Sequence, residues 1–240
     1  MHQNNPDYER QSLTQPAQRA LLSAINVGAA NNPFEREFVR DRNELIVLLF
    51  FHLGLRQGEL LKIKITGTHF DAQKQTLSIT RSPDDPTDPR KEAPQAKTNS
   101  RTLPLSEILT KRILDHIIKH RRSRRYAATH AFLFVAQSGR PLSKSAISKI
   151  FSIIRSRVEE VDPNLSPHVL RHTFNENLSA IFESSKTEPE KEKRVRSYLN
   201  GWSPQSNTAA VYLRRQTRYA AQEMGVKLSQ KLASAVKRGQ

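Results

Sequence analysis

Apolar residues recur at helical spacing along most of the chain and alternate in one region near its middle. Thr14 and Pro16 form an N-cap and first-turn pair, so a helix is predicted over Gln15–Ala24. After Asn31-Asn32-Pro33, the stripe Phe38, Leu45, Leu48 and Leu49 predicts a helix from Phe34 to Phe51 that stops near Gly54. A short helix begins at Gln57. Leu61–Ile65 and Gln75–Thr80 alternate and carry β-branched residues, and Lys97–Leu105 reads as a turn feeding a further strand, giving a small antiparallel three-stranded sheet. Helical spacing returns in Ser106–His120, with Ile108, Leu109, Ile113 and Ile117 as its apolar side. It returns again behind the cap Ser143, with Ile147, Ile150, Phe151 and Ile154. A last set starts at Pro167 behind the loop 162–167, where Leu170, Phe174 and Leu178 anchor the helix. Glu183–Arg196 is charged and reads as a solvated insertion or a helix end, followed by a stripe of Val195, Tyr198 and Leu199. Asn200–Pro204 is a turn, and Ser206–Tyr212 is helical. The fold class expected is mainly α with that small sheet (α+β). Residues 1–11 form a flexible lead, 12–215 one domain, and 216–240 a basic helical tail.

Composition narrows the chemistry. The 240 residues contain no cysteine, which excludes disulfides, thiolate metal sites and cysteine nucleophiles. No apolar run reaches membrane-spanning length, because Leu45–Leu55 is interrupted by His52 and Gly54. The polar N-terminus lacks a signal-peptide pattern, so a cytoplasmic location is expected. Lys plus Arg number 39 against 23 Asp plus Glu, a net charge of +16, which predicts a polyanionic partner. Arg121, Arg122, Arg124 and Arg125, in a run with Lys119 and His120, are candidate phosphate-backbone contacts.

The chemistry concentrates in Pro167-His168-Val169-Leu170-Arg171-His172-Thr173-Phe174. His168 and Arg171, three apart on a first helical turn, point the same way. Arg56, in Gly54-Leu55-Arg56-Gln57-Gly58-Glu59-Leu60, lies at a helix junction, where it either caps the preceding carbonyls or serves a ligand. Lys97 sits at a hairpin tip, where solvated charge is the ordinary role. The only tryptophan, Trp202, sits in the turn Asn200-Gly201-Trp202, where core filling is the ordinary role.

Gly-Leu-Arg-x-x-Glu-Leu, a hairpin lysine, His-x-Leu-Arg-His-Thr-Phe, Leu-x-Gly-Trp and a tyrosine ten residues beyond the tryptophan occur in one chain order. This resembles the catalytic domain of the tyrosine recombinase (phage integrase) family, from about Leu13 to Arg215. The resemblance implies that Arg56 and Arg171 bind the scissile phosphate. It implies that Lys97 protonates the leaving 5′ oxygen, that His168 assists proton transfer at the tyrosine, and that Trp202 fills the family's His-or-Trp position. Tyr212 would be the nucleophile, with Tyr219 as runner-up. Glu59 and His172 would support them, His172 either structurally or from behind the catalytic side chains. The activity implied is DNA cleavage and rejoining through a 3′-phosphotyrosyl link, on double-stranded DNA, by a homotetramer, near the nucleoid, with neither cofactor nor metal. A type IB topoisomerase-like enzyme and a non-cleaving DNA-binding protein of the same fold are the alternatives. The tail 216–240 is a candidate for docking on a neighbouring protomer. Insertions at 83–94 and 183–193 depart from the family pattern, and no separate N-terminal DNA-clamping domain is evident, so the chain is either a fragment or lacks one.

Overall fold

The computed structural model describes residues 12–81, 85–95, 98–203, 206, 208, 209, 212, 221 and 224–228. Among these, seven α-helices surround one apolar core, with a three-stranded antiparallel sheet at the side. No helix among them is long and apolar enough to cross a membrane. The N-terminal residues 1–11 and most of the basic tail lie outside the described residues.

Helix α1 (Gln15–Ile25) starts where Thr14 Oγ1 accepts from the Ala17 amide. Helix α2 (Glu37–Leu53) is buried along most of its length and forms the central post, with Leu45, Ile46, Leu49 and Phe50 fully enclosed. A five-residue α3 (Gln57–Leu61) follows the turn at Gly54. Strands β1 (Phe70–Asp71), β2 (Thr76–Ile79) and β3 (Arg101–Pro104) lie in the order β1-β2-β3, with Leu77 opposite both Phe70 and Leu103. Helix α4 (Glu107–Asp115) continues into a π-helical segment, His116–Arg121. Helix α5 (Lys144–Arg157) starts at Ser143 as expected, and α6 (Pro167–Ser184) and α7 (Pro189–Asn200) complete the set.

Three expectations are corrected. Leu61–Ile65 is not the first strand: Leu61 ends α3, and Ile63–Ile65 instead exchange backbone hydrogen bonds with Ala131–Leu133. On α4, Ile108 is 78% exposed, because Leu109 and Ile113 alone satisfy the inward face. On α7 the buried face is Glu192, Arg196 and Asn200 rather than Val195, Tyr198 and Leu199. That polar face meets polar partners on α6, as Arg196 donates to Asn175 O at 2.8 Å and Ser179 Oγ at 2.9 Å. The predicted solvated insertion is therefore partly a core helix. Tyr198 stays 54% exposed, with its hydroxyl on the backbone of Thr102. The loop after β2 is irregular as predicted, yet it is pinned: Arg90 donates to Leu61 O and Leu142 O, and Lys64 pairs with Asp85 at 2.7 Å.

Gly54 links the central post to the chemistry. It ends α2 in the left-handed region, φ +58°, which favours glycine. The α6 side chain Phe174 fills the space a Cβ would need, 2.3 Å from that position. Gly54→Ala is therefore expected to destabilise the protein by at least about 1–3 kcal/mol, combining left-handed strain with displacement of Phe174. Thermal melting should show a drop of about 2–4 °C per kcal/mol.

Candidate active site

Three helix ends converge on one open cleft of about 420 Å³, lined by Arg56, Gln57, Pro167, His168, Arg171, His172, Trp202 and Tyr212. Each has a local cause. Gly54 turns the chain out of α2 and delivers Arg56 at the start of α3. Ser166, whose side chain accepts from the Val169 amide, and Pro167 in the first turn start α6 and set His168, Arg171 and His172 on its first turns. Gly201, left-handed at φ +63°, ends α7 and throws Trp202 toward the cleft.

The two arginines are held from behind by carbonyls. Arg171 donates to Gly54 O at the end of α2 and, at 2.9 Å, to Asn200 O at the end of α7. Arg56 reaches the same Asn200 oxygen at 3.5 Å, so it caps α7 rather than the helix that precedes it. The last carbonyls of a helix have no partner within it and carry the negative end of its dipole, which suits guanidinium groups. Burial, with Arg56 and Arg101 adding like charge, pushes Arg171 down to about 9, so it remains a cation at neutral pH. Arg56 is shifted in the same direction by burial, which Glu59 opposes. Two guanidinium groups lining one cleft have the chemistry to receive a tetrahedral oxyanion.

Tyr212 is 6% exposed and stacks on Trp202 with ring centroids 6.0 Å apart. The Arg196 guanidinium lies 5.0 Å from its ring centroid. Its hydroxyl is 2.8 Å from His172 Nδ1, and His172 Nε2 is 2.9 Å from His168 Nε2. One cleft thus holds a tyrosine hydroxyl, an imidazole in contact with it, a second imidazole in contact with the first, and two arginines.

The family described as "Phage integrase family" matches residues 29–218, most of the chain. The chain belongs to that family. Over 149 residues it is 25% identical to tyrosine recombinase XerD of Halalkalibacterium halodurans, covering 62% of this chain and 44% of that protein. The chain therefore spans less than half the length of that curated relative. Its fold is similar to the Tn1549 transposon integrase solved with transposon right end DNA, at TM-score 0.62 and 17% identity, covering 92% of this chain and 68% of that one. XerA recombinase gives TM-score 0.59 and 19% identity over 90% of this chain and 65% of its own. The mainly helical fold with a small antiparallel sheet is thus that of tyrosine recombinase catalytic domains.

Within this integrase-family fold, six of the site residues expected from sequence come together: Arg56, His168, Arg171, His172, Trp202 and Tyr212 all line the cleft. Lys97 and Tyr219 lie outside the described residues. Glu59 stands behind Arg56 and accepts from its backbone amide at 2.9 Å. The basic run divides. Arg122 and Arg125 are exposed, and Arg124 is half-buried with its guanidinium over Phe38. Arg121 is corrected: it is 3% exposed and donates to Phe132 O, Ala127 O and His130 O, which ties down the 127–132 loop and leaves it unavailable to a phosphate.

Sequence reasoning singled out Glu59 but missed Arg101 and Thr98, which hold it. Arg101 holds Glu59 with both nitrogens, at 3.0 and 2.9 Å, and donates to Leu199 O at 2.9 Å. Thr98 Oγ1 also donates to Glu59. Arg101 shares its strand face with Leu103, so an arginine in phase with buried leucines was the available signal. Burial alone would raise the Glu59 pKa, but Arg101, Thr98 and the Arg56 amide outweigh it and hold it below the ordinary carboxylate range. A lowered carboxylate pKa contributes stability above the unfolded value, and that contribution is lost as pH falls through the folded one. Wild-type stability should therefore decline as pH drops below about 4.5, and Glu59→Gln should lack this component. At pH 7 the variant should lose about 3–5 kcal/mol, because Arg101 is left buried without its anion. Urea unfolding across pH 3–7 measures both.

Proposed function

We propose that the chain is a site-specific DNA strand-transfer enzyme that cleaves and rejoins DNA through a 3′-phosphotyrosyl intermediate, in recombination or integration. The observation that carries this is the Tyr212 hydroxyl in the same cleft as Arg56 and Arg171, with His172 at 2.8 Å. A tyrosine hydroxyl ionises near ~10, so it needs a base and nearby cations to act at neutral pH. Its attack on a phosphodiester builds charge on the non-bridging oxygens, and that charge falls to Arg56 and Arg171. Lys97, which precedes Thr98 in the sequence, is the acid that protonates the leaving 5′ oxygen. His168 assists proton transfer at the tyrosine. Trp202 packs the Tyr212 ring and fixes its plane. The phosphotyrosyl ester conserves the bond energy, so joining to a partner 5′ hydroxyl needs no nucleotide, and the chemistry assigned to these side chains calls for no metal.

Double-stranded DNA is the partner, held in part by Arg122, Arg124 and Arg125 through phosphate contacts. Exchange between two duplexes calls for four active sites, hence a homotetramer on DNA, with the basic tail 216–240 as its docking element. Such an enzyme works in the cytoplasm at the nucleoid.

The direct test uses a nicked suicide duplex carrying the repeats that flank the encoding gene. A covalent protein–DNA adduct is expected with wild type and none with Tyr212→Phe. An adduct that survives the substitution would sink the assignment. Supercoil relaxation without strand exchange would favour a topoisomerase, and DNA binding without any adduct would favour a non-cleaving protein. Replacing Arg122, Arg124 and Arg125 together by Gln should lower the slope of log affinity against log salt by about 2–3, at roughly 0.9 per phosphate contact. Titration of fluorescent duplex between 50 and 300 mM salt, values chosen on the order of the usual working range, reads that slope.

A further inference from the structure

The family resemblance gives the tyrosine's proton to His168 and leaves His172 a supporting part. The geometry points to a different order: we propose that His172 is the direct acceptor of the Tyr212 proton and passes its own proton to His168, so that the two histidines form a two-step relay out to the cleft. This deepens the strand-transfer reading and rests on it.

The contacts define the direction. Tyr212 Oη lies 2.8 Å from His172 Nδ1, and His172 Nε2 lies 2.9 Å from His168 Nε2. A neutral imidazole carries one N–H and one lone pair. If His172 is protonated on Nε2, its Nδ1 accepts from the tyrosine hydroxyl while its Nε2–H donates to His168. His168 then carries its own hydrogen on Nδ1. Each of the two contacts then pairs one hydrogen with one lone pair. In the reverse arrangement the Tyr212 oxygen would accept from Nδ1–H, and His172 could take no proton from it.

Burial says where the charge should end. His172 is 6% exposed, whereas His168 is exposed at the cleft. A cation held on His172 would be desolvated in a site already positive. Arg171 is on the same helix, Arg56 comes from the start of α3, and Arg196 of α7, paired with Glu192 at 2.6 Å, lies 5.0 Å from the Tyr212 ring centroid. Buried Glu59 stands behind the two cleft arginines and is engaged by Arg101. Transfer of the second proton removes the charge from His172 and sets it on His168, beside the position of the phosphate. The step balances. The Tyr212 Oη–P bond forms as its proton moves to His172 Nδ1, and the Nε2 proton of His172 moves to His168 Nε2. The P–O5′ bond breaks, and the 5′ oxygen takes its proton from the separate acid, Lys97. Rejoining runs the relay backwards.

The test follows cleavage of the suicide duplex by the full chain, wild type and His172→Gln, with DNA binding measured alongside. The variant is expected to bind DNA and cleave about 10²–10⁴-fold more slowly at pH 7. Its rate should climb tenfold per pH unit toward the tyrosine's own ionisation near ~10, while the wild-type rate levels off above the histidine range. A merely structural role would not give rescue by pH. A 5′-bridging phosphorothiolate duplex, whose leaving thiolate needs no acid, should leave the defect in place. Cleavage within threefold of wild type, a parallel pH profile, or recovery on the thiolate substrate would each overturn the relay. Should the variant lose DNA binding, ¹⁵N-histidine spectra of the wild-type chain decide: an unprotonated His172 Nδ1 supports the relay, and a protonated one overturns it. Failure of the wild type to form any adduct would instead count against strand transfer itself.

Discussion

The C-terminal end of α7 governs the geometry of the site. Its last carbonyls are used by arginines from elsewhere in the chain: Leu199 O by Arg101, and Asn200 O by both Arg171 and Arg56. Gly201 makes this possible by ending the helix in the left-handed region, with the Arg101 guanidinium packed where a side chain would stand. Asn200 is itself fixed, its side chain donating to Asn175 Oδ1 at 2.9 Å within the buried set that includes Arg196 and Glu192. The guanidiniums of Arg56 and Arg171 therefore rest on the carbonyl end of α7, and that end rests on a buried polar set in which Asn175, Ser179, Glu192, Arg196 and Asn200 hydrogen-bond to one another.

This layering has an energetic meaning. Guanidiniums that are already desolvated and oriented need no rearrangement when an anion arrives, so the ordering cost falls on folding rather than on binding. Buried polar networks tolerate partial satisfaction poorly, which makes them rigid supports. The same logic explains why Glu59 is bound so thoroughly: a carboxylate at that depth persists as an anion only with Arg101, Thr98 and the Arg56 amide all donating to it.

Much of this was legible in the sequence, for identifiable reasons. Caps at Thr14 and Ser143 marked helix starts, because a hydroxyl before an apolar stripe has few other uses, whereas Ser166, read as loop, proved to be the cap of α6. Leu61–Ile65 misled, because alternation there reflects an extended segment paired with Ala131–Leu133 rather than a sheet strand. On α7 the reading was off by one position: apolar residues were assigned inward, while the facing helix offered Asn175 and Ser179 and so selected Arg196 and Asn200. Arg121 looked like its exposed neighbours, and only the fold reveals three carbonyls around it. The His172–Tyr212 contact joins residues 40 apart, so no local pattern could have displayed it.

Tyr198 has a consequence for solubility. β3 is an edge strand, and an open edge offers its unpaired amides and carbonyls to any passing strand. The Tyr198 hydroxyl accepts from the Thr102 amide at 3.3 Å and donates to the Thr102 carbonyl at 3.1 Å. One phenol thus imitates the residue of a missing fourth strand, occupying the middle of the edge with a group that cannot be extended. The open edge is thereby guarded against pairing with a strand of another molecule.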